Sequence, residues 1–286
     1  MMTDISLLTI VRGRRTQLHN LLRGVAAQTR KPEEVIVVFM NEAIPDQLPD
    51  PGCKMYLHQI ADPDHPLPLA AARNLAAANA SGRLLAFLDV DCIPHPEYLE
   101  LLSTAVRQTH GVVMGDVHYL PRAIAAEGWT AEDLAELAVR HPRRPVIPAD
   151  RSLIPLAYHL FWSLSFGLRA NDFARLGGFD EGYRGYGGED TDFSFTARQT
   201  RIPMYACKAR AFHQFHPTFS PPYHHLDDII ENADRFYKKW DVWPMEGWLK
   251  QFVADGYIAW ESHTIRKLRP VEAKTLAAAR SDSPFG

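Results

Sequence analysis

The 286-residue sequence is short of the features that mark several large classes of protein. Its three cysteines, Cys53, Cys92 and Cys207, are odd in number and widely scattered. No disulfide framework is expected, and a reducing compartment is. No CxxC or CxxxxH spacing suggests structural zinc. No apolar run approaches the roughly 20 residues of a membrane-spanning helix. Met1–Arg15 lacks a charged stretch followed by an apolar one, so no secretory signal is expected. Charge of one sign is missing too. With 31 Lys and Arg against 34 Asp and Glu the formal net charge is −3, which leaves no global basic field for nucleic acid or an anionic membrane. No internal repeat is found. What remains is a globular composition, 46% hydrophobic and 23% charged, with enough apolar residue for a full core. Histidine (13) and proline (21) are in excess, and His213, His216, His224 and His225 fall in one short stretch.

The pattern predicts alternating strands and helices. Ile5–Val11 reads as a strand, and Leu18, Leu21, Leu22 and Val25 follow helical spacing with Thr16 as N-cap. Val35–Phe39 is a continuous apolar run, the mark of a strand buried on both faces. Strand, helix and strand in this order open a parallel sheet. Further strands are expected at Met55–Gln59, Leu84–Leu88, Val112–Tyr119, Trp162–Leu168 and Met204–Phe212. Helices are expected at Leu69–Ala80, Pro96–Gln108, Asn171–Leu176, Asp190–Thr200, Asp227–Trp240 and Glu246–Ala254. Thr130–Asp133 resembles a capping box that opens a short helix. His141–Pro155, rich in Pro and Arg, reads as a mobile loop, and the chain beyond about Ala273 as a fraying tail.

Three segments carry chemistry. In Phe87-Leu88-Asp89-Val90-Asp91 two carboxylates end a buried strand, where open parallel sheets bind their ligands. Two such acids repel unless a cation bridges them, and oxygen ligands suit Mg²⁺ or Mn²⁺, which in turn hold phosphates. An ordinary Asp-rich turn is the plainer reading. Gly187-Gly188-Glu189-Asp190-Thr191-Asp192 places three carboxylates at a helix start. Capping by the helix dipole asks for one acid, not three, and a carboxylate in a glycine-lined pocket can act as a general base. In Phe212-His213-Gln214-Phe215-His216-Pro217 an imidazole at a strand end can complete a site with Asp89 and Asp91, although a single His is more often structural.

Taken in order with Ala72-Arg73-Asn74 and Leu176-Gly177-Gly178-Phe179-Asp180-Glu181, these motifs resemble the family 2 nucleotide-sugar glycosyltransferases of the GT-A fold. Residues from about 165 to 198 are similar to the C-terminal segment of the galactosyltransferase group. The resemblance covers residues 3–217. It implies an α/β, Rossmann-like, mostly parallel sheet flanked by helices, with a C-terminal helical extension. The implied division is a domain at 1–217 (nucleotide half 1–119, acceptor and catalytic half 120–217), an extension at 218–273 and a flexible tail at 274–286.

The same resemblance implies the roles. Asp91 lies on a Mn²⁺ or Mg²⁺ ion, Asp89 on the metal or the ribose, and His213 is the later metal ligand with His216 as the fallback. Arg73 approaches the nucleotide, and Val11 and Arg12 lie near the base. The family usually carries an acid after the second strand, facing uracil. Asn41-Glu42 stands here, and Asn41 keeps uridine plausible without excluding another base. Asp190 is the implied base and Glu189 the acceptor holder of an inverting transfer, because Asn commonly follows that Glu in the retaining relatives. The implied donor is a UDP-sugar of galactose or N-acetylgalactosamine type. The acceptor is a glycan, a lipid-linked glycan or a small molecule. Trp162, Tyr183 and Tyr186 are candidate stacking faces, and Arg140, Arg143, Arg144 and Arg151 form either a lid over phosphates or a solvated charge run. The expected setting is the cytoplasm, with peripheral contact at the inner membrane face as the second option. A catalytically silent sugar-nucleotide-binding scaffold and a nucleotidyltransferase are the competing readings. The Gly-Gly-Glu-Asp segment speaks against the latter.

Overall fold

The computed structural model describes residues 4–65, 67–150 and 152–285. The first strands are the apolar runs. β1 (Ile5–Val11) and β2 (Glu34–Met40) are buried along their whole length, and β4 (Leu84–Leu88) likewise. β3 (Lys54–Ile60) alternates and forms the edge. β1 pairs in parallel with both β2 and β4, and β2 with β3, joined by α1 (Arg15–Ala26) and α2 (Leu69–Ala78).

Beyond β4 come β5 (Cys92–Pro94), α3 (Tyr98–Gln108), β6 (Val112–Tyr119), α4 (Ala131–Leu137), β7 (Val139–Arg140) and β8 (Leu153–Pro155). They are followed by β9 (Ser165–Arg169), α5 (Ala170–Leu176), α6 (Glu189–Gln199) and β10 (Met204–His213). The ten-stranded sheet runs β3-β2-β1-β4-β9-β6-β10-β5, with β7 on β6 and β8 on β10. β9 enters antiparallel between β4 and β6, while β6 and β10 are parallel. The expected α/β class is therefore observed, with parallel pairing concentrated at β3-β2-β1-β4. One core packs α1 and α3 on one face of the sheet, and a second packs α2, α5 and α6 on the other.

The chain order turns outward on both sides of β1, and such a reversal opens a crevice at the carboxyl ends of β1 and β4. β11 (Thr218–Phe219), α7 (Leu226–Trp240), α8 (Glu246–Ala254), β12 (Ile258–Trp260), β13 (Ile265–Lys267), α9 (Ala273–Ala279) and β14 (Arg280–Ser281) follow. They gather around a separate apolar cluster of Ile229, Ala233, Leu249, Phe252 and Ile258. No helix among the described residues is long and apolar enough to cross a membrane.

Several local expectations are corrected. Thr16 is not the N-cap of α1. Arg14 holds that position without a side-chain cap, since a guanidinium has no acceptor to offer the helix amides, and it reaches Asp91 instead. Residues 274–285 are not a loose tail: α9 runs through the first part to Ala279, β14 pairs with β11, and Phe285 packs back onto the main core. The apolar side chains Ala279 and Phe285 supply the anchors that a polar composition hides. The segment from His141 to Pro155 is not all solvated loop. It follows β7, where Arg140 pairs with Asp116 at 2.9 Å, it ends in β8, and Arg144 within it is buried. Its Arg151 lies outside the described residues.

Candidate active site

Strand register assembles the first half of the site. β5 runs antiparallel to β10 with Cys92 opposite His213, and the Gln214 amide donates to the Asp91 carbonyl at 2.6 Å. Asp91, one residue before β5, is therefore held beside the end of β10. Its Oδ1 lies 3.5 Å from His213 Nε2, its Oδ2 3.5 Å from His216 Nε2 and 3.1 Å from Arg14 Nη1. The buried Gln214 side chain accepts from Asn20 and donates to the Gln17 carbonyl. This pins the turn that swings His216 back towards Asp91.

One ligand atom from each of Asp91, His213 and His216 lies within 4.8 Å of the others. Burial works against ionisation of Asp91, but His213, His216 and Arg14 overcome it and hold its carboxyl well below the usual range. Burial pushes His213 down to about 4, so its imidazole is neutral and able to ligate at pH 7. A carboxylate with two imidazoles fits a divalent ion, and the nitrogen donors favour a transition ion such as Mn²⁺ over Mg²⁺. His213 and His216 thus stand together, where the sequence offered them as alternatives.

Asp89 lies outside that triad. Its Oδ1 is 3.4 Å from Arg73 Nη2, while Arg73 Nη1 is 3.0 Å from Glu189 Oε1. Burial pushes the Asp89 carboxyl up to about 6, with Asp91 adding to the shift and Arg73 opposing it. Arg73, 4% exposed, joins the Asp-Val-Asp segment to Glu189 at the start of α6, a residue 116 positions after Arg73 itself. Its guanidinium is shared between these two carboxylates.

α6 begins at Glu189 after Gly188, whose φ of +93° strains any other residue. Asp190 accepts from its neighbour, the Thr191 amide, at 2.7 Å. Burial, reinforced by the Glu189 charge, pushes Asp190 up to about 7. The third acid, Asp192, serves the architecture. It is 1% exposed and accepts from Tyr183 Oη (3.1 Å), Trp240 Nε1 (2.7 Å) and Lys239 Nζ (2.8 Å). This fastens α7 to α6. Gly185 serves the same end, since a Cβ there would lie 2.2 Å from the Asp228 carboxyl carbon.

The other expected residues divide. Val11 ends β1 and is buried, and Arg12 is exposed just beyond it. The Asn41 amide donates to the Asp62 and His65 carbonyls at 2.9 and 3.0 Å, and its Oδ1 accepts from the Asp62 amide, so its side chain braces the 62–65 loop. Tyr183 is core, whereas Tyr186 is 36% exposed and stacks on His225 at 4.6 Å. Trp162 carries the Arg144 guanidinium on its ring at 4.2 Å. Arg14, His216 and Phe285 are the neighbours that sequence reasoning passed over or ranked low. The basic Arg12-Gly13-Arg14-Arg15 turn after β1 was the available signal for Arg14. For Phe285 there was none.

Two family models match the chain: "Glycosyl transferase family 2" over residues 6–131 and "N-terminal domain of galactosyltransferase" over residues 143–217. A validoxylamine A glucosyltransferase of Streptomyces hygroscopicus subsp. limoneus is 29% identical over 243 residues, 78% of this chain and 53% of that protein. The O-antigen biosynthesis protein RfbC of Myxococcus xanthus is 31% identical over 196 residues, 63% of this chain and 15% of that protein. The chain spans about half the length of the glucosyltransferases it matches. Among solved structures, residues 1–349 of TarS from S. aureus superpose with a TM-score of 0.51 at 17% identity, covering 82% of this chain and 64% of that one. GalNAc-T7, solved with UDP, GalNAc and Mn²⁺, gives 0.54 at 15%, covering 89% and 57%. At these identities the two structures support the fold.

Proposed function

We propose that this chain, which belongs to the family 2 glycosyltransferases and has their GT-A fold, moves a hexose from a UDP-sugar to an acceptor hydroxyl with inversion at the anomeric carbon. The observation that carries the reading is the Arg73 bridge. One buried guanidinium ties Asp89, beside the Asp91–His213–His216 triad, to Glu189, beside Asp190. An ion-binding group and a carboxylate with a pKa of about 7 thus share one crevice. A scaffold without chemistry has no need of the second.

In this reading residues 1–217 form the transferase unit and 218–273 an extension. Glu189, held by Arg73, orients the acceptor. Asp190 takes the proton of the attacking hydroxyl while the new C–O bond forms and the bond to the diphosphate breaks, its electron pair leaving with the phosphate. A pKa near 7 suits a general base working at neutral pH, where such assistance contributes ~10²–10⁴ in rate. Asp91, His213 and His216 would hold a divalent ion, which when bound supplies Lewis-acid stabilisation of the departing diphosphate.

The glucosyltransferase relatives favour glucose as the sugar, and the galactosyltransferase-type segment favours galactose. The two differ only in the hydroxyl at C4. A thermal-shift panel of sugar nucleotides with Mn²⁺ or Mg²⁺ tests the reading. A ligand that binds only the native state raises Tm by mass action. The expected result is a Mn²⁺-dependent rise with UDP-glucose or UDP-galactose that Asp91→Ala abolishes. No rise with any nucleotide, in folded protein, refutes the reading.

A further inference from the structure

Arg144 is a buried cation without a protein anion. The residue is 6% exposed, and its guanidinium carbon sits over the Trp162 ring, 4.2 Å from the centroid. Its Nη1 faces Met114 Sδ at 2.7 Å, a weak acceptor. Its Nε and Nη2 are buried with no hydrogen-bond partner in the protein, and the Tyr119 phenol lies beside it. No carboxylate among the described residues pairs with it. Asp116, the acid of β6, is already engaged by Arg140 and His118. A buried charge left uncompensated is strongly destabilising, and that cost is recovered when an anion of matching geometry arrives.

The surroundings say which anion. The Tyr119 ring lies 4.8 Å from that of His213, a member of the triad with Asp91 and His216. His141, three residues before Arg144, sits edge-on to both Trp162 and Phe285, each at 4.9 Å. The unpaired guanidinium therefore belongs to an aromatic group that borders the ion-binding residues. It sits between β7 and β8, on a segment whose described residues 141–150 form no helix or strand.

We propose that Arg144 binds the diphosphate of the donor, exchanging the face of Trp162 for a two-pronged grip on phosphate oxygens. This rests on the reading that the crevice takes a nucleoside diphosphate sugar. Arg144 then adds a second positive group for the leaving diphosphate, beside the ion held by Asp91, His213 and His216. It also makes closure of the 141–150 segment depend on phosphate.

The test is titration of the full chain, with Mn²⁺ present, by UDP and by uridine, followed by tryptophan fluorescence and calorimetry. UDP is expected to change the emission and uridine is not, and Trp162→Phe is expected to remove the UDP response. Arg144→Gln should weaken UDP at least tenfold and leave uridine affinity within twofold, with Arg144→Lys in between. Equal UDP affinity in Arg144→Gln, or an emission change that uridine reproduces, overturns the proposal and leaves the transferase reading standing. Wild-type protein that binds neither ligand overturns both. Should Arg144→Gln fail to fold, the comparison of UDP with uridine in wild type and in Trp162→Phe decides.

Discussion

Asp190→Asn separates catalysis from stability in this protein. Burial and the adjacent Glu189 charge push the Asp190 carboxyl up to about 7, from an ordinary value of 3.8. In the folded protein it is half ionised near pH 7, so general-base activity should rise about tenfold between pH 6 and pH 8 with a midpoint near 7. The same shift has a stability consequence of definite sign. The folded state holds this proton over a range where the unfolded chain has released it. Stability therefore falls as pH rises from about 4 to about 7 and levels off above. A shift of about 3 units corresponds to at most ~4 kcal/mol. Because Asp190 keeps some solvent contact, ~1–2 kcal/mol is the working figure.

Asp190→Asn removes that cost. The variant should lose ~10²–10⁴ in kcat yet melt several degrees higher than wild type at pH 8, with a smaller gain at pH 5. The assay is UDP release against pH, paired with thermal melts of both proteins at pH 5 and pH 8. A flat rate between pH 6 and 8, a turnover within threefold of wild type, or a lower Tm at pH 8 would each refute the reasoning.

Two further expectations follow from the buried charges. Arg73→Met leaves Asp89 and Glu189 without their shared partner in a site where the arginine side chain is 5% exposed. Removing one member of a buried ionic group costs ~3–5 kcal/mol, so the urea midpoint should fall steeply, and an unchanged midpoint contradicts the bridge. Asp192→Ala strands the Tyr183 and Trp240 donors, while the exposed Lys239 keeps Asp180 as its partner. At ~1–3 kcal/mol for each unsatisfied buried group, the loss should exceed ~2 kcal/mol and loosen α7 in hydrogen exchange. A loss under ~1 kcal/mol denies the clamp.

Much of the architecture is legible in local pattern. The apolar runs Val35–Phe39 and Leu84–Leu88 read as strands covered on both faces, and β2 and β4 are. The Thr130–Asp133 capping box is present as read, because a cap is an interaction over four residues. The carboxylates and imidazoles of the crevice were visible as residue types at strand and helix ends, since chemistry must be written in side chains wherever they fold.

What the sequence determined was therefore the class of fold, the order of its elements and the set of groups available for reaction. Only the tertiary structure decided how those groups are shared. Arg73 and Glu189 are 116 residues apart, Asp192 meets Trp240 across 48, and Asn41 turns to a loop 21 residues on. No local period encodes such pairings. They follow from the register of β5 on β10 and the seating of α7 on α6, which place particular charges together in a medium where each must find a partner. The same packing buried Arg144 against Trp162, in a segment whose prolines and arginines read locally as solvated loop. It also brought Phe285 home from a tail too small and polar to announce a contact. Burial is a property of the whole chain, and burial set both the pKa of Asp190 and the want of an anion at Arg144.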